Sequence, residues 1–314
     1  MQARKAYYAT QLATAFVSIT DAPLILFHLV ANWRFPAVQL CKKHGRESGV
    51  SHTIFCTMKG KLISFSGGRS SAMLLSIMLE NGLVDEDTVV AFANTGKERE
   101  ETLEFVQDCE RFFGIKIWWV EYIPQKPLYR IVDFDTACRN GEPFEALTQR
   151  AKYLPNAVQR ICTGDLKIKP LNRLMKKELG FSGFVKYMGI RADEPTRYHK
   201  LKDKSVMPMY EMGITKKKVR DFWDKQPFDL KIKDGWGNCD LCFQKGRAYA
   251  GKLVKLIREE PERADWWIEM EKKTGARFIN SISYEQLKHI ATTQTTLNFD
   301  DIEALEETLD CYCG

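Results

Sequence analysis

The stretch LISFSGGRSSAMLL, residues 62–75, decides the fold class. LISF has the composition of a short β-strand, and AMLL begins an apolar helical run that lasts to Gly82. Two glycines and three serines separate the strand from the helix. Glycines let the backbone approach a ligand closely, and the free amides of a helix start favour anions. The stretch therefore predicts a phosphate-binding loop, with a serine-capped tight turn as the alternative.

Strand-like and helix-like runs alternate on the carboxyl side of this loop. TVVAFAN is a continuous apolar run of the kind found in buried parallel strands. An amphipathic helical pattern, the strand-like KIWWVEYI, a helical stretch near residues 166–180 and the strand-like GFVKYMGI follow it. This order predicts an α/β fold: a Rossmann-like, doubly wound, mostly parallel sheet with a C-terminal helical, cysteine-bearing part.

Three regions are expected along the chain. Residues 1–57 show no persistent helix or strand period and are expected to form a weakly ordered N-terminal extension. The nucleotide-binding α/β domain should span residues 58–204, and the C-terminal helical part with its CxxC loop should span residues 205–314.

Composition narrows the class of protein. The 314 residues are 44% hydrophobic and 28% charged, which excludes disordered and fibrous classes. Mean hydropathy is -0.34 and no run approaches 18 apolar residues, so no membrane association is expected. The net charge of +6 is compatible with anionic ligands. The nine cysteines do not follow the spacing of a secreted disulfide framework, so a cytoplasmic location with reduced thiols is expected.

Cys239 and Cys242 form a CxxC pair, whose spacing lets both sulfurs bind one metal ion. A structural zinc site completed by Cys311 and Cys313 is one interpretation, and an unmetallated loop is another. Cys109 lies on the predicted amphipathic helix and is interpreted as a core residue.

Four segments in order resemble the phosphoadenylyl-sulfate (PAPS) reductase family of the N-type ATP pyrophosphatases, in the adenine nucleotide alpha-hydrolase-like superfamily. SGGRSS resembles the SGGxDS pyrophosphate loop, and NTG with KEREETLEFV resembles DTG…PETLEFV. RICT running to LKIKPL resembles CC…RKVxPL, and GIRADEPTR resembles G-R-x-x-E-S-x-x-R. The resemblance covers residues 60 to about 245.

Three departures from the family pattern are visible. Ser70 stands where the pyrophosphatases have aspartate, which argues against ordinary magnesium–ATP hydrolysis. Asn94 replaces the aspartate of DTG. The tandem cysteine pair is reduced to Cys162–Thr163, so one ligand position of an iron–sulfur reductase is missing.

The resemblance implies a set of site residues. An adenine nucleotide, either ATP or adenylyl sulfate, would be bound by the loop and by cationic groups. The residues that the resemblance implies for nucleotide binding are Ser64, Ser66, Gly67, Gly68, Arg69, Ser70, Ser71, Asn94, Thr95, Gly96, Lys167, Arg191 and Arg197. Cys162, Cys239 and Cys242 would hold an iron–sulfur cluster, with Cys138, Cys311 or Cys313 as candidates for a fourth ligand. Cys311 and Cys313 are also the candidate catalytic nucleophiles.

The expected activity is thiol-dependent reduction of an adenylylated sulfate, with a thiol electron donor such as thioredoxin as partner. One alternative is an ATP-dependent iron–sulfur sulfurtransferase that takes sulfur from a donor and thiolates a nucleic acid or a nucleobase. A non-catalytic, zinc-stabilised module that binds nucleotides or nucleic acids is the other alternative. Metal identity separates this module from the two enzymes, because zinc lacks the visible absorbance of a thiolate-bound iron cluster.

Overall fold

The computed structural model describes residues 60–233, 235–237, 239–246 and 251–293. Five strands form one sheet in the order β4-β3-β2-β1-β5. They are β1 Gly60–Phe65, β2 Thr88–Asn94, β3 Ile117–Glu121, β4 Arg130–Val132 and β5 Phe184–Tyr187. β4 pairs antiparallel to β3, and the other pairs are parallel. The predicted α/β class and mostly parallel sheet are confirmed, whereas the antiparallel edge strand β4 was not predicted.

Helices connect and follow the strands. In the α/β part these are α1 Arg69–Glu80, α2 Glu100–Phe113, α3 Glu142–Ala151, α4 Lys169–Arg173, α5 Pro195–Leu201, α6 Pro208–Glu211 and α7 Lys216–Trp223. Two π-helical segments, Cys162–Ile168 and Leu174–Glu178, flank α4 directly and make one continuous helix with it. The C-terminal part contains the 3-10 turns Phe243–Gly246 and Pro261–Arg263 with α8 Gly251–Glu259, α9 Ala264–Thr274 and α10 Tyr284–Thr293.

Both faces of the sheet are covered, because alternate residues of each strand point to opposite sides. Phe65 and Phe92 join the larger core with the apolar residues of α1 and α2. Leu62 and Ala91 face the other way and pack with Leu174 and neighbouring residues of the long helix. The larger core also takes in the buried residues of α8, α9 and α10. Among the described residues, no helix has the length and apolar character needed to cross a membrane.

The chain order places β1 at the switch point of the sheet. β2 and β3 are added on one side of β1, and β5 is added on the other. Because these strands are parallel, the loops after Phe65, Asn94 and Tyr187 emerge at the same edge. Open α/β sheets bind ligands at this position, outside the carboxyl ends of the strands.

Candidate anion site and thiol loop

The loop between β1 and α1 is closed by hydroxyl hydrogen bonds. The backbone amide of Ser66 donates to Ser71 Oγ over 3.1 Å, and Ser71 Oγ donates to the Gly68 carbonyl oxygen over 2.8 Å. Gly67 adopts φ +75°, and a Cβ there would lie 2.6 Å from Thr102 Cγ2. Gly67 is therefore required both by the turn and by the packing of the loop on α2.

A second glycine lets the neighbouring strand approach this loop from behind. A Cβ on Gly189, which follows β5, would lie 2.7 Å from the Ser70 carbonyl oxygen and 3.0 Å from the Ser71 amide nitrogen. Arg191 then reaches the loop, with its Nη1 3.4 Å from Ser70 Oγ. Ser70 thus stands opposite an arginine at the position where the related pyrophosphatases have an aspartate.

Glu194 holds the two predicted arginines of this region. Its Oε2 accepts a hydrogen bond from the Arg191 amide at 3.0 Å, and its Oε1 lies 2.5 Å from Arg197 Nη1. Glu194 is buried, and the Arg197 side chain is only 14% exposed. Arg191 and Arg197 both line the cavity over the loop, as the sequence predicts.

Helix α7 supplies two further cations that the sequence analysis did not assign to the site. Lys216 and Arg220 are four residues apart, so they share one helix face, and both line the cavity. In contrast, Lys217 is 78% exposed and pairs with Asp221. Of the described lysines at 216–218, Lys216 lines the cavity. The sequence of three consecutive lysines does not indicate which of them does so.

Arg69 has a different environment from the other cations. Its Nε and Nη2 each lie 2.7 Å from a carboxylate oxygen of Asp229, and Nη2 donates to the Leu230 carbonyl oxygen over 2.5 Å. The guanidinium thus joins the first residue of α1 to the segment that follows α7. Arg69 lines the cavity, but its described hydrogen bonds are made to protein groups.

The resulting cavity has a volume of about 200 Å³ and a strongly cationic lining. Its described basic residues are Arg69, Arg191, Arg197, Lys216, Arg220 and Lys233. Glu194 is the acidic residue among its described lining residues, and that carboxylate already contacts Arg191 and Arg197. Ser64, Ser66, Gly67, Gly68, Ser70 and Ser71 complete the predicted part of the lining. The arrangement suits an anion carrying several negative charges.

The predicted NTG segment after β2 does not line this cavity. Asn94 is fully buried and donates to Glu121 Oε1 over 2.6 Å and to the Cys138 carbonyl oxygen over 2.8 Å. Gly96 adopts φ +76° and packs against Gly141 at the start of α3. In the described structure these side chains organise the edge of the sheet and make no contact with the anion cavity.

The CxxC loop is buried and held by a lysine. Cys239 and Cys242 are 5% and 3% exposed. The Lys245 ammonium group donates to the carbonyl oxygens of Trp236, Cys239 and Asp240 over 3.1, 2.9 and 2.8 Å. Three carbonyl acceptors satisfy the donors of a buried ammonium group, so this lysine fixes the backbone of the loop.

Asp240, inside the CxxC loop, is fixed from two further sides. Its carboxylate lies 3.2 Å from Lys97 Nζ, and both side chains are less than 9% exposed. Trp267 Nε1 donates to Asp240 Oδ1 over 3.0 Å. The Tyr284 hydroxyl donates to the Leu241 carbonyl oxygen over 2.5 Å. Full burial, together with the nearby acidic groups, raises the pKa of Tyr284 well above its usual value, so this donor stays protonated.

A short chain of contacts leads from Cys239 to Lys167. Cys239 Sγ lies 3.4 Å from Thr95 Oγ1, and that hydroxyl is 2.8 Å from Glu98 Oε2. The other carboxylate oxygen of Glu98 is 3.6 Å from Lys167 Nζ. Cys162 begins the same π-helical segment, five residues before Lys167, and a π-helix pairs residues i and i+5.

The described structure brings together only some of the predicted metal ligands. Among the described residues, no three Cys, His, Asp or Glu side chains are arranged to hold a metal ion. Cys138 Sγ is 2.8 Å from Arg130 Nη2, but partial burial and the Glu121 carboxylate raise the pKa of Cys138 to about 12. Cys311 and Cys313 lie outside the described residues. Cysteine thiolates are suitable ligands for a thiophilic metal, but the described side chains do not form a complete set of metal ligands.

The fold and the loop define a nucleotide-binding α/β protein of the adenine nucleotide alpha-hydrolase-like superfamily. The sequence profile of the phosphoadenosine phosphosulfate reductase domain matches residues 61–207, which include the strand–loop–helix unit, β5 and Arg191. The chain belongs to this family, whose members are generally enzymes.

Two relatives extend the comparison. An uncharacterized nin region protein of Escherichia phage lambda is 31% identical over 205 residues, which are 62% of this chain and 69% of that protein. An uncharacterized protein of Methanocaldococcus jannaschii is 25% identical over 218 residues, covering 67% of this chain. This match spans only 41% of the archaeal protein, which is therefore considerably longer than the shared region.

Proposed function

We propose that the chain binds an adenylylated sulfate in the cavity over the phosphate loop and carries out its thiol-dependent reduction. The observation that carries the proposal is the cavity lining, which has six described basic side chains and one carboxylate. Three of these cations also pair with carboxylates outside the lining: Arg69 with Asp229, Arg191 with Asp193 and Lys233 with Glu259. Mg²⁺ is bound through carboxylates together with substrate phosphates. Since Glu194 is already engaged by arginines, the described lining favours an anion neutralised by guanidinium groups over magnesium–ATP.

The proposed reaction begins with a nucleophilic thiolate. The thiolate would form a bond to the sulfate sulfur while the bond from that sulfur to the bridging oxygen breaks, and AMP would leave with the electron pair. A thiol electron donor such as thioredoxin would then reduce the resulting S-sulfonate and release sulfite. The candidate nucleophiles are Cys311 and Cys313, near the end of the chain. Arg191 and Arg197 would stabilise the negative charge on the leaving phosphate.

The thiol loop supports a second candidate, an ATP-dependent sulfurtransferase. Cys239 and Cys242 are buried on a loop fixed by Lys245, and the contacts through Thr95 and Glu98 lead toward the helix that begins with Cys162. In this second proposal Cys162, Cys239 and Cys242 hold an iron–sulfur cluster. The zinc alternative instead pairs Cys239 and Cys242 with Cys311 and Cys313. Anaerobic purification followed by metal and labile-sulfide analysis tests the ligand set. Cys162→Ser and Cys239→Ser should lose equal amounts of metal, and Cys109→Ser in α2 is the matched control that should lose none.

The two activities are separated by their products. The full chain is incubated with adenylyl sulfate and reduced thioredoxin, and AMP and sulfite are measured. Reduction predicts equal amounts of both, with sulfite formation absent from the Cys311→Ser, Cys313→Ser double variant. Release of pyrophosphate from magnesium–ATP, with no sulfite formed from adenylyl sulfate, would contradict reduction and support the sulfurtransferase.

A further inference from the structure

The Arg69 side chain joins the anion cavity to a segment 160 residues away along the chain. Its guanidinium forms two parallel 2.7 Å contacts with the Asp229 carboxylate, which is the bidentate geometry of a strong ion pair. It also donates to the Leu230 carbonyl oxygen over 2.5 Å and lies 3.5 Å from the Ile232 carbonyl oxygen. These contacts fix the start of a segment that leads directly to the CxxC loop.

We define residues 229–242 as the bridging segment, which the structure describes apart from residues 234 and 238. Its middle part contributes Lys233, Gly235 and Gly237 to the wall of the anion cavity. Its last four residues carry Cys239 and Cys242. The described parts of this segment therefore line the anion cavity at one end and carry the two buried cysteines at the other.

The backbone at Arg69 is fixed as well as its side chain. Trp223 Nε1 donates to the Arg69 carbonyl oxygen over 3.0 Å. Trp223 is 1% exposed and packs edge-on against Phe105 of α2, with ring centroids 5.0 Å apart. Because Trp223 is closely packed, this hydrogen bond fixes the start of α1 relative to α7, and the Arg69 side chain then holds Asp229 and Leu230 against that fixed point.

We propose that Arg69 is a positioning residue that couples anion binding at the phosphate loop to the order of the CxxC loop. An anion bound in the cavity contacts the loop and the bridging segment together, and the Arg69–Asp229 ion pair keeps these two walls aligned. Occupancy of the cavity therefore stabilises residues 239–246. The inference rests on the proposed function only in taking an adenylyl anion as the cavity's ligand.

The test is amide hydrogen exchange of the full chain, with and without saturating adenylyl sulfate. In the wild-type protein the anion should slow exchange both in peptides covering residues 66–80 and in peptides covering residues 239–246. In Asp229→Ala the first effect should remain, and the slowing at residues 239–246 should fall by about fivefold or more, the lower range of ordinary coupling between sites. Asp229→Asn, an isosteric change, provides the same comparison if the alanine variant folds poorly.

One further variant distinguishes positioning from direct binding. Arg69→Lys keeps the charge but loses the bidentate geometry, so at saturating adenylyl sulfate it should lose the protection at residues 239–246 to the same extent as Asp229→Ala.

Three other outcomes would overturn the proposal or the function on which it rests. If Arg69 binds the anion directly, Asp229→Ala frees its guanidinium and tightens binding while Arg69→Ala weakens it, and this outcome overturns the positioning role. Full protection at residues 239–246 in Asp229→Ala overturns it as well. A wild-type protein that shows no protection at residues 66–80 overturns the proposed function itself and, with it, the coupling.

Discussion

The anion cavity and the CxxC loop meet the sheet at the same edge, on opposite sides of β1, yet they are built differently. The cavity has a cationic wall to which Lys216, Arg220 and Lys233 contribute, and Lys233 also pairs with Glu259. The CxxC loop is buried, and its polar groups are paired with protein groups such as Lys245 and Lys97. The first arrangement leaves a site that binding can complete. The second is a loop held mainly by its own buried contacts, to which occupancy of the cavity adds stability through the bridging segment. Ligands should therefore change affinity at the cavity, whereas substitutions should change stability at the loop.

The largest expected effect is on stability, at Asp240. Asp240→Ala leaves the Lys97 ammonium group buried without its carboxylate, and breaking a buried pair costs about 3–5 kcal/mol of unfolding free energy. Denaturant unfolding measures this loss. Asp221→Ala, which breaks the exposed Lys217–Asp221 pair, is the matched control and should cost less than about 1 kcal/mol. Equal losses in the two variants would remove the distinction between a buried loop and an open surface.

The next effect is on binding, at Gly68. This residue is the N-cap of α1 with φ -109° and ψ 160°, a conformation that any residue adopts. Asp is a favoured N-cap residue, so Gly68→Asp should keep the thermal midpoint while placing a negative charge in the cavity. Two unit charges about 4 Å apart repel by about 4 kcal/mol near a protein surface, which predicts at least a roughly hundredfold weaker affinity for adenylyl sulfate. Unchanged affinity, measured by calorimetry, would remove the loop from the site.

A smaller effect separates neighbouring cations of α7. Arg220→Ala should weaken binding of adenylyl sulfate by about tenfold, since a charge-assisted hydrogen bond contributes about 1.5–3 kcal/mol and part of it is replaced by water. Lys217→Ala is the matched control on the exposed face and should leave affinity unchanged. Calorimetric titration of both variants measures the difference. If Lys217→Ala has the larger effect, the anion binds outside the cavity.

The smallest effect is expected from removing metal. The CxxC loop is held by Lys245, Trp267 and Tyr284, so a chelator should lower the thermal midpoint by no more than about 2 °C. A structural zinc site behaves differently, because its binding energy is folding energy. A fall of about 10 °C or more on chelation would show that a metal stabilises this part of the chain.

The contrast between the two regions also explains what the sequence could predict. The loop at residues 66–71 follows β1 directly, and Arg191 and Arg197 lie within ten residues of the end of β5. A local pattern and the parallel sheet are therefore enough to bring them together. Lys216 and Arg220 were missed because they belong to the cavity only through the placement of α7. The role of Arg69 depends on Asp229, 160 residues away, and no local signal marks that partner.

The CxxC pair was visible in the sequence, but its surroundings were not. In the sequence Lys245 cannot be distinguished from an exposed lysine, because the carbonyl groups that accept hydrogen bonds from its ammonium group come together only in the folded loop. Asn94 and Thr95 matched a nucleotide-binding motif, yet the described structure uses them to join β2 to Glu121, Glu98 and Cys239. The partners in such a buried network are far apart in the sequence and meet only through tertiary packing. In the sequence each one is an isolated polar residue with no local pattern that marks its partner.

The central claim is that arginine and lysine side chains, with the loop amides, neutralise the bound anion in place of a carboxylate-held magnesium ion. The most direct measurement is calorimetric titration of the wild-type protein with adenylyl sulfate, once with excess EDTA and once with excess magnesium. The account predicts the same Kd within about twofold in both titrations, a difference of about 0.4 kcal/mol. Binding that is lost in EDTA and restored by magnesium would contradict it.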